Sequence, residues 1–586
     1  MTSRAQLFLC TALGVFVASH AQQPCAPAYV NTSRGTLRGN ALPGGADEFI
    51  GIPFASAERF GPSTLSKGAY PENPLVATYY GPACLQTLTP TSTYGREDCL
   101  VMNVWRPHGI TPERGLPVLV YIYGGSDDFG EAEPYNASQL AIQQGAVVAS
   151  FNYRTGPLGF LAFEEDVAAG RSTGNFALLD MQTALHWVQG EIAYFGGDPA
   201  KVAIFGQSSG AGCVELLTVS PLSRGLFRGA ISQSGGLSAG KLESSLATTT
   251  EMARRLNCTE RGYSKHEIRA CLRDSSGDDI VIAQGTQCVT PNDCHGLGFG
   301  PTVDGVVVPA DPTELVTRGE VLDVALVLGA NTNDTNLFVS SSYGHVNRSE
   351  YVAIVRSYFG QGAHAEALAK RALELYPPHT SPLANNKGLI GWLESDQTLC
   401  RVQRSARSIS KISSRRSRTF VYRYNWWFQS NARCTAVPNW HPAELGSMHQ
   451  DEVSFVFGQP IKMNIGYTNC SDPGWPGYDP SCTDCVFDAK EANFSHSMGT
   501  LWVNMAACGT PSPCSASSGS SNTWWPAFTN LRQQNIVLAP EEAPYTPSTM
   551  RIEESMGRRV ACKLWDDAST SLEEGDAPTT HSFVAR

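Results

Sequence analysis

The stretch Val202-Ala203-Ile204-Phe205-Gly206-Gln207-Ser208-Ser209-Gly210-Ala211-Gly212 constrains this chain more than any other. An apolar run stops at a Gly-x-Ser-x-Gly, and small residues lead on into Cys213-Val214-Glu215-Leu216-Leu217. That reads as strand, tight turn and helix, the sequence form of a nucleophile elbow. The flanking glycines give such a turn its backbone room. The serine then sits at a helix N-terminus, where N–H groups can meet an oxyanion. The pattern alone is weak, because Gly236-Leu237-Ser238-Ala239-Gly240 matches it too. Context separates the two: Ser208 lies between a strand-like VAIF and an apolar helical run, whereas Ser238 leads into the polar KLESS and reads as a loop serine.

Around this stretch, buried strands alternate with helices. Val118-Leu119-Val120-Tyr121-Ile122-Tyr123 and Ala146-Val147-Val148-Ala149-Ser150-Phe151 have no polar alternation, as strands covered on both faces require. Asn175 to Tyr194 has helical spacing and is broken by Gly196-Gly197-Asp198-Pro199. Short strands follow at Gly229-Ala230-Ile231-Ser232, Val324 to Gly329, and Thr419 to Tyr422. Before them, from Cys25 to about Gly51, the chain reads as short strands and turns, an N-terminal antiparallel strand region. The whole implies a mostly parallel sheet with helices on both faces. With 586 residues, 42% of them hydrophobic, the chain can bury a large core. Its net charge of −11 argues against nucleic-acid binding. Arg401, Arg404, Arg407 and Lys411 recur at helical spacing, with Arg415, Arg416 and Arg418 after them, and read as the solvated face of one helix and the loop beyond.

Residues 1–21 pair a basic Arg4 with an apolar core and end in Ser19-His20-Ala21, a secretory signal with cleavage expected before Gln22. No other stretch is long and apolar enough to span a bilayer, so no stable membrane insertion is expected. Seventeen cysteines, with sequons at Asn31, Asn136, Asn257, Asn347, Asn469 and Asn493, suit an extracellular glycoprotein. Cys84 and Cys99 bracket a polar segment that reads as a disulfide-closed surface loop. The Ser/Thr/Gly/Cys-rich residues 507–522 read as a loop or insertion. One packed domain over residues 22–566 and a polar tail over residues 567–586 are expected.

Several ordered motifs carry a resemblance to a known family. They are Glu97-Asp98-Cys99-Leu100 with Asn103-Val104, Tyr123-Gly124-Gly125, Gly174-Asn175 with Leu179-Asp180, and Phe195-Gly196-Gly197-Asp198-Pro199. The elbow follows, then Gly300-Pro301-Thr302-Val303-Asp304-Gly305, Gly329-Ala330-Asn331 and Phe455-Val456-Phe457-Gly458. Over nearly the whole mature chain the sequence resembles the type-B carboxylesterases, the cholinesterase-like family of the α/β-hydrolase fold. The resemblance implies one large α/β domain and serine-dependent hydrolysis of carboxylic esters, with no metal or organic cofactor.

A serine hydroxyl needs a base to take its proton and an acid to orient that base. The resemblance puts the base at His449, just ahead of the Phe455 motif, and the acid at Asp334, where the family usually has Glu. Read alone, an Asp after a strand is an ordinary turn or cap residue, and a histidine is core or surface filler, as His441 is read here. The same resemblance makes Gly125, Ser126 and Ser209 the oxyanion-hole donors. Ser126 stands where the family has a third glycine, Gln207 replaces the usual Glu before the serine, and Glu452 keeps the family's acid after the histidine. It also implies disulfides Cys84–Cys99, Cys258–Cys271 and Cys400–Cys562. Cys288–Cys294 and Cys508–Cys514 are candidate local pairs, and Cys213 reads as a buried free thiol. Cys482-x-x-Cys485 is a single pair, short of a zinc site. Residues 85–98 hold no Trp on which a quaternary ammonium would stack, and are short and mostly polar for a lipid-binding lid. A small-molecule or lipid-like ester of modest size is the expected partner, and the oligomeric state is not legible. Non-catalytic adhesion proteins of the same fold, and lipases, are the competing readings.

Overall fold

A computed structural model describes residues 26–259, 265–285, 296–381, 383–412, 418–428, 445–461, 486–514, 525–545 and 549–573. The leader, Cys288–Cys294, His441, Asn469, Cys482, Cys485 and the tail beyond residue 573 lie outside them.

Twelve strands form the central path: β1 (Ala26–Thr32), β2 (Gly35–Ala41), β3 (Ala46–Pro53), β4 (Val101–Pro107), β5 (Leu116–Ile122), β6 (Val147–Phe151), β7 (Gly197–Gln207), β8 (Gly229–Gln233), β9 (Ala325–Asn331), β10 (Thr419–Tyr424), β11 (Gln534–Leu538) and β12 (Ile552–Glu554). Their spatial order is β1-β2-β3-β4-β6-β5-β7-β8-β9-β10-β11-β12, with the short strand Leu75–Val76 beside β2. From β6 through β11 every pairing is parallel. The N-terminal strands up to β4, and the last pair β11/β12, are antiparallel. This is the mostly parallel α/β sheet with an antiparallel N-terminal region that the sequence led us to expect. β8 and β9 are buried at every position, as continuous apolar runs must be when helices cover both faces.

The helices used below are α1 (Phe176–Glu191), α2 (Ser209–Val219), α3 (Lys387–Ser410), α4 (Asp451–Phe457), α5 (Ala489–Cys508) and α6 (Arg559–Glu573). α1 passes into a 3-10 turn at Ile192–Phe195 and stops at Gly196, which takes a left-handed φ of 85°. Ser238 lies in irregular chain, as a loop serine should.

Two expectations change. Arg404 and Arg407 of the basic stretch on α3 form a docking face, while Lys411 is exposed as read and Arg415 and Arg416 lie outside the described residues. Arg404 Nε and Arg407 Nη2 reach Asp566 at 3.1 and 2.5 Å, and Arg404 also donates to the Trp565 carbonyl. The sequence reading failed because the partner lies on a helix about 160 residues away. The boundary expected at Asp566 falls inside α6. That helix continues because Asp567 pairs with Arg371 at 2.7 Å and with Lys563 at 3.1 Å, while Ala568 joins a hydrophobic cluster with Leu564, Trp565 and Tyr351.

Disulfides Cys84–Cys99, Cys258–Cys271, Cys400–Cys562 and Cys508–Cys514 stand among the described residues, and Cys213 is buried and free. Cys400–Cys562 closes a loop of 162 residues and ties α6 to α3. Replacing both cysteines by alanine is expected to cost ~2–5 kcal/mol, read as a lower urea midpoint, because the unfolded chain regains that loop's freedom.

Candidate active site

The elbow is built by close approach. β7 ends at Gln207, Ser208 takes φ 60° and ψ −132°, and α2 starts at Ser209. A Cβ on Gly206 would stand 2.7 Å from the carbonyl oxygens of Gly210 and Ile122, and one on Gly210 would collide with those of Ile122 and Tyr123. Both positions therefore require glycine. Ser208 N–H donates to Gln233 O on the next strand at 2.9 Å, which fixes the strained residue.

Asp334 follows β9 and has no exposed surface. His449 Nδ1 lies 2.5 Å from its Oδ1. Ser234 Oγ, just past β8, donates to Oδ2 at 2.5 Å, and Asn331 N–H donates to the same oxygen at 2.9 Å. Burial raises the Asp334 carboxyl, but the His449 charge and the hydrogen bonds from His449, Ser234 and Asn331 outweigh it and hold it below the ordinary value. The backbone closes the unit from the other side: His449 N–H donates to Asp334 O at 3.0 Å.

The histidine is presented by an unusual helix start. Gln450 takes φ 79°, and Met448 N–H donates to Asp451 Oδ2 at 2.9 Å at the head of α4. Phe338 packs against the imidazole with ring centroids 5.1 Å apart. His449 Nε2 is buried with no hydrogen-bond partner among the described residues. The structure thus joins Asp334 to His449, whereas the hydrogen bond from Ser208 to His449 is not formed.

Gly125 and Ser126 follow β5, the neighbour of β7. Among the described residues, no hydrogen bond engages the N–H groups of Gly125, Ser126 or Ser209. The loop carries left-handed φ angles at Gly125, Ser126 and Asp127. Asp128 N–H and Phe129 N–H both donate to Gly125 O, at 3.0 and 3.2 Å. The Cys84–Cys99 segment forms a hairpin (Gln86–Thr89 with Ser92–Tyr94), which is pinned to this loop. Gln86 Nε2 donates to Gly130 O at 3.0 Å and Gly130 N–H donates to Gln86 Oε1 at 2.8 Å.

Behind the site, Glu452 is fully buried. It accepts from Asn331 Nδ2 at 2.6 Å and from Gln233 Nε2 at 3.1 Å. Trp502 of α5 donates to the other end of the Gln233 amide at 3.1 Å. Gln207 lies beside Gln233 in register, also fully buried, and its amide has no partner among the described residues. Four of these residues escaped the sequence reading: Ser234, Asn331, Gln233 and Trp502. For Ser234 the available signal was its place just past the short strand next to the elbow. Asn331 stood in the Gly329-Ala330-Asn331 motif with no role assigned to it, and nothing local marked Gln233 or Trp502.

Burial pushes Glu452 up to about 7, against the pull of its Asn331 hydrogen bond. The unfolded chain releases this proton near 4.5, whereas the folded protein keeps it to about 7. Stability from this group is therefore full below about 4.5 and is lost as pH rises to about 7. The urea midpoint is expected to decline across that window, and Glu452→Gln to make the decline shallower. An unchanged slope in the variant would remove Glu452 from this account.

Comparison with known proteins accords with this geometry. The model of the carboxylesterase family matches residues 26–555. A bile salt-activated lipase of Mus musculus is 30% identical over 519 residues, covering 85% of this chain and 79% of the relative. A cholinesterase of Mus musculus is 30% identical over 550 residues, covering 88% and 83%. An acetylcholinesterase of Bungarus fasciatus is 28% identical over 593 residues, covering 93% and 88%. With the family matched from the first described strand into β12, the chain belongs to the carboxylesterase family.

Proposed function

We propose that this protein is a secreted serine carboxylesterase acting through Ser208, His449 and Asp334. The observation that carries the reading is the buried Asp334–His449 pair. Asp334 follows β9, two strands along the sheet from the β7 that ends at the Ser208 elbow, and His449 lies just ahead of α4. In the proposed reaction, His449 Nε2 takes the Ser208 proton as Oγ attacks the ester carbonyl. Asp334 keeps Nδ1 protonated and stabilises the imidazolium. The N–H groups of Gly125, Ser126 and Ser209 receive the oxyanion. His449 returns the proton to the leaving alcohol, and water cleaves the acyl-enzyme by the same steps. In apo enzymes the serine–histidine contact is often long and tightens with substrate, so its absence here is compatible with the role.

The leader, the disulfides and the exposed Asn31, Asn347 and Asn493 sequons support secretion as a glycoprotein. Asn333-Asp334-Thr335 is also a sequon, which we expect to be unmodified in active enzyme. The Thr335 hydroxyl is buried on Gly391 O and Ser395 Oγ, each at 3.0 Å. The mature chain is read as one hydrolase domain. For substrate, a soluble ester of modest size is favoured, because the disulfide hairpin is pinned by the Gln86–Gly130 pair and is a poor candidate for a swinging lid. The bile salt-activated lipases among the relatives favour a second reading, esters of lipids. Activation at a lipid–water interface would establish it.

Wild type is expected to hydrolyse short-chain aryl esters and to take a fluorophosphonate label on Ser208. Ser208→Ala and His449→Ala should each lower kcat by roughly 10⁴-fold or more with the fold intact. Unlabelled Ser208 without ester turnover would favour a binding protein on the same fold.

A further inference from the structure

The loop that carries Gly125 and Ser126 N–H is held in an uncomfortable shape. Gly125, Ser126 and Asp127 are left-handed in succession, with φ of 137°, 57° and 64°. Only the first is a glycine, so the other two adopt this region against steric resistance. Something must therefore over-determine the loop.

Asp127 supplies the ties. Its N–H donates to Ser209 Oγ at 3.1 Å, which links the loop to the first residue of α2. Its carbonyl accepts from Gly156 N–H at 2.7 Å. Its side chain is buried, and the Cys213 thiol, one turn along α2, lies 3.8 Å from Oδ1. Oδ2 lies against Gly300, where a Cβ would stand 3.2 Å away. Among the described residues no cation pairs with it. Ser209 and Cys213 thus grip Asp127 from the same helix whose first N–H lies beside Ser208.

We propose that Asp127 is a positioning residue for the oxyanion hole, latching the left-handed loop to α2 so that the Gly125 and Ser126 N–H groups stay aimed at the reacting carbonyl. Asp127 itself touches no reacting atom. The inference rests on the esterase reading given above.

The contacts of the side chain do not call for a negative charge. Burial pushes the Asp127 carboxyl up to about 7, with hydrogen bonds from Cys213 and Ser209 pulling the other way. The titratable groups that feel its charge are Asp128, Cys213 and Tyr153, all buried and all raised. None of the three supplies a compensating positive charge. An asparagine should therefore serve nearly as well as the aspartic acid, which distinguishes latching from a need for charge.

The test measures kcat, KM and the affinity of an aryl trifluoromethyl ketone, whose serine adduct places an oxyanion in the hole. Asp127→Ala is expected to lower kcat about ten- to hundredfold while KM stays within about threefold, and to weaken the ketone by a similar factor. Asp127→Asn should keep at least about a third of wild-type kcat. Ser209→Ala, which keeps its own N–H but removes the acceptor for Asp127, should lower kcat and ketone affinity together by about five- to tenfold. That variant decides the matter if Asp127→Ala fails to fold. An active wild type whose Ser209→Ala and Asp127→Ala variants keep kcat within twofold overturns the latch alone, as does a fall in kcat with ketone affinity unchanged. A wild type with no ester turnover and no Ser208 label overturns the esterase reading and the latch with it.

Discussion

A carboxylate with no exposed surface must be stabilised by its neighbours or take up a proton. Asp334 is such a group, and much of the site can be read as the means of keeping it charged. His449, Ser234 and the Asn331 N–H share its two oxygens. Each donor comes from a different part of the chain. The contact therefore exists only when β8, β9 and the segment leading into α4 are all in place. Glu452 extends the same logic one layer deeper. It accepts from Asn331 and Gln233, but burial outweighs the pull of those hydrogen bonds and raises its carboxyl to about 7.

The sheet makes this convergence possible. β5, β7, β8 and β9 are consecutive neighbours and all parallel, so their C-terminal ends lie along one edge. In open α/β sheets that edge is where sites form. Here it carries the Gly125–Ser126 loop, Ser208, Ser234 and Asp334 in that spatial order. Packing above and below leaves little freedom, since glycines at 206 and 210 allow β5, β7 and α2 to approach within the space of a methyl group. The loop of residues 125–127 is tied to its surroundings. Its left-handed residues depend on ties to α2 and, through Gly130, to the disulfide hairpin.

What the sequence made legible follows from how local each constraint is. The elbow was readable because a sharp turn between a strand and a helix demands glycines at fixed offsets. The parallel sheet was readable because doubly covered strands lose polar alternation. Asp334 and His449 needed the family resemblance, since nothing near either residue marks it as half of a pair separated by more than a hundred positions. Ser234 and Asn331 were missed for the same reason. Their value lies in a partner on another strand. Arg404 and Arg407 were misread because a basic helical stripe looks solvated until Asp566 arrives on α6. β12 escaped because an Ile-Glu-Glu edge strand carries almost no apolar signal.

We propose that Ser208, the Asp334–His449 pair and the three N–H groups form one reaction centre. A crystal structure of the protein after reaction with an aryl phosphonate tests it most directly. The account predicts phosphorus bonded to Ser208 Oγ, the phosphoryl oxygen hydrogen-bonded to the N–H groups of Gly125, Ser126 and Ser209, and His449 Nε2 turned to the adduct with Nδ1 still on Asp334. Phosphorus on another residue, or a phosphoryl oxygen facing away from those N–H groups, would contradict it.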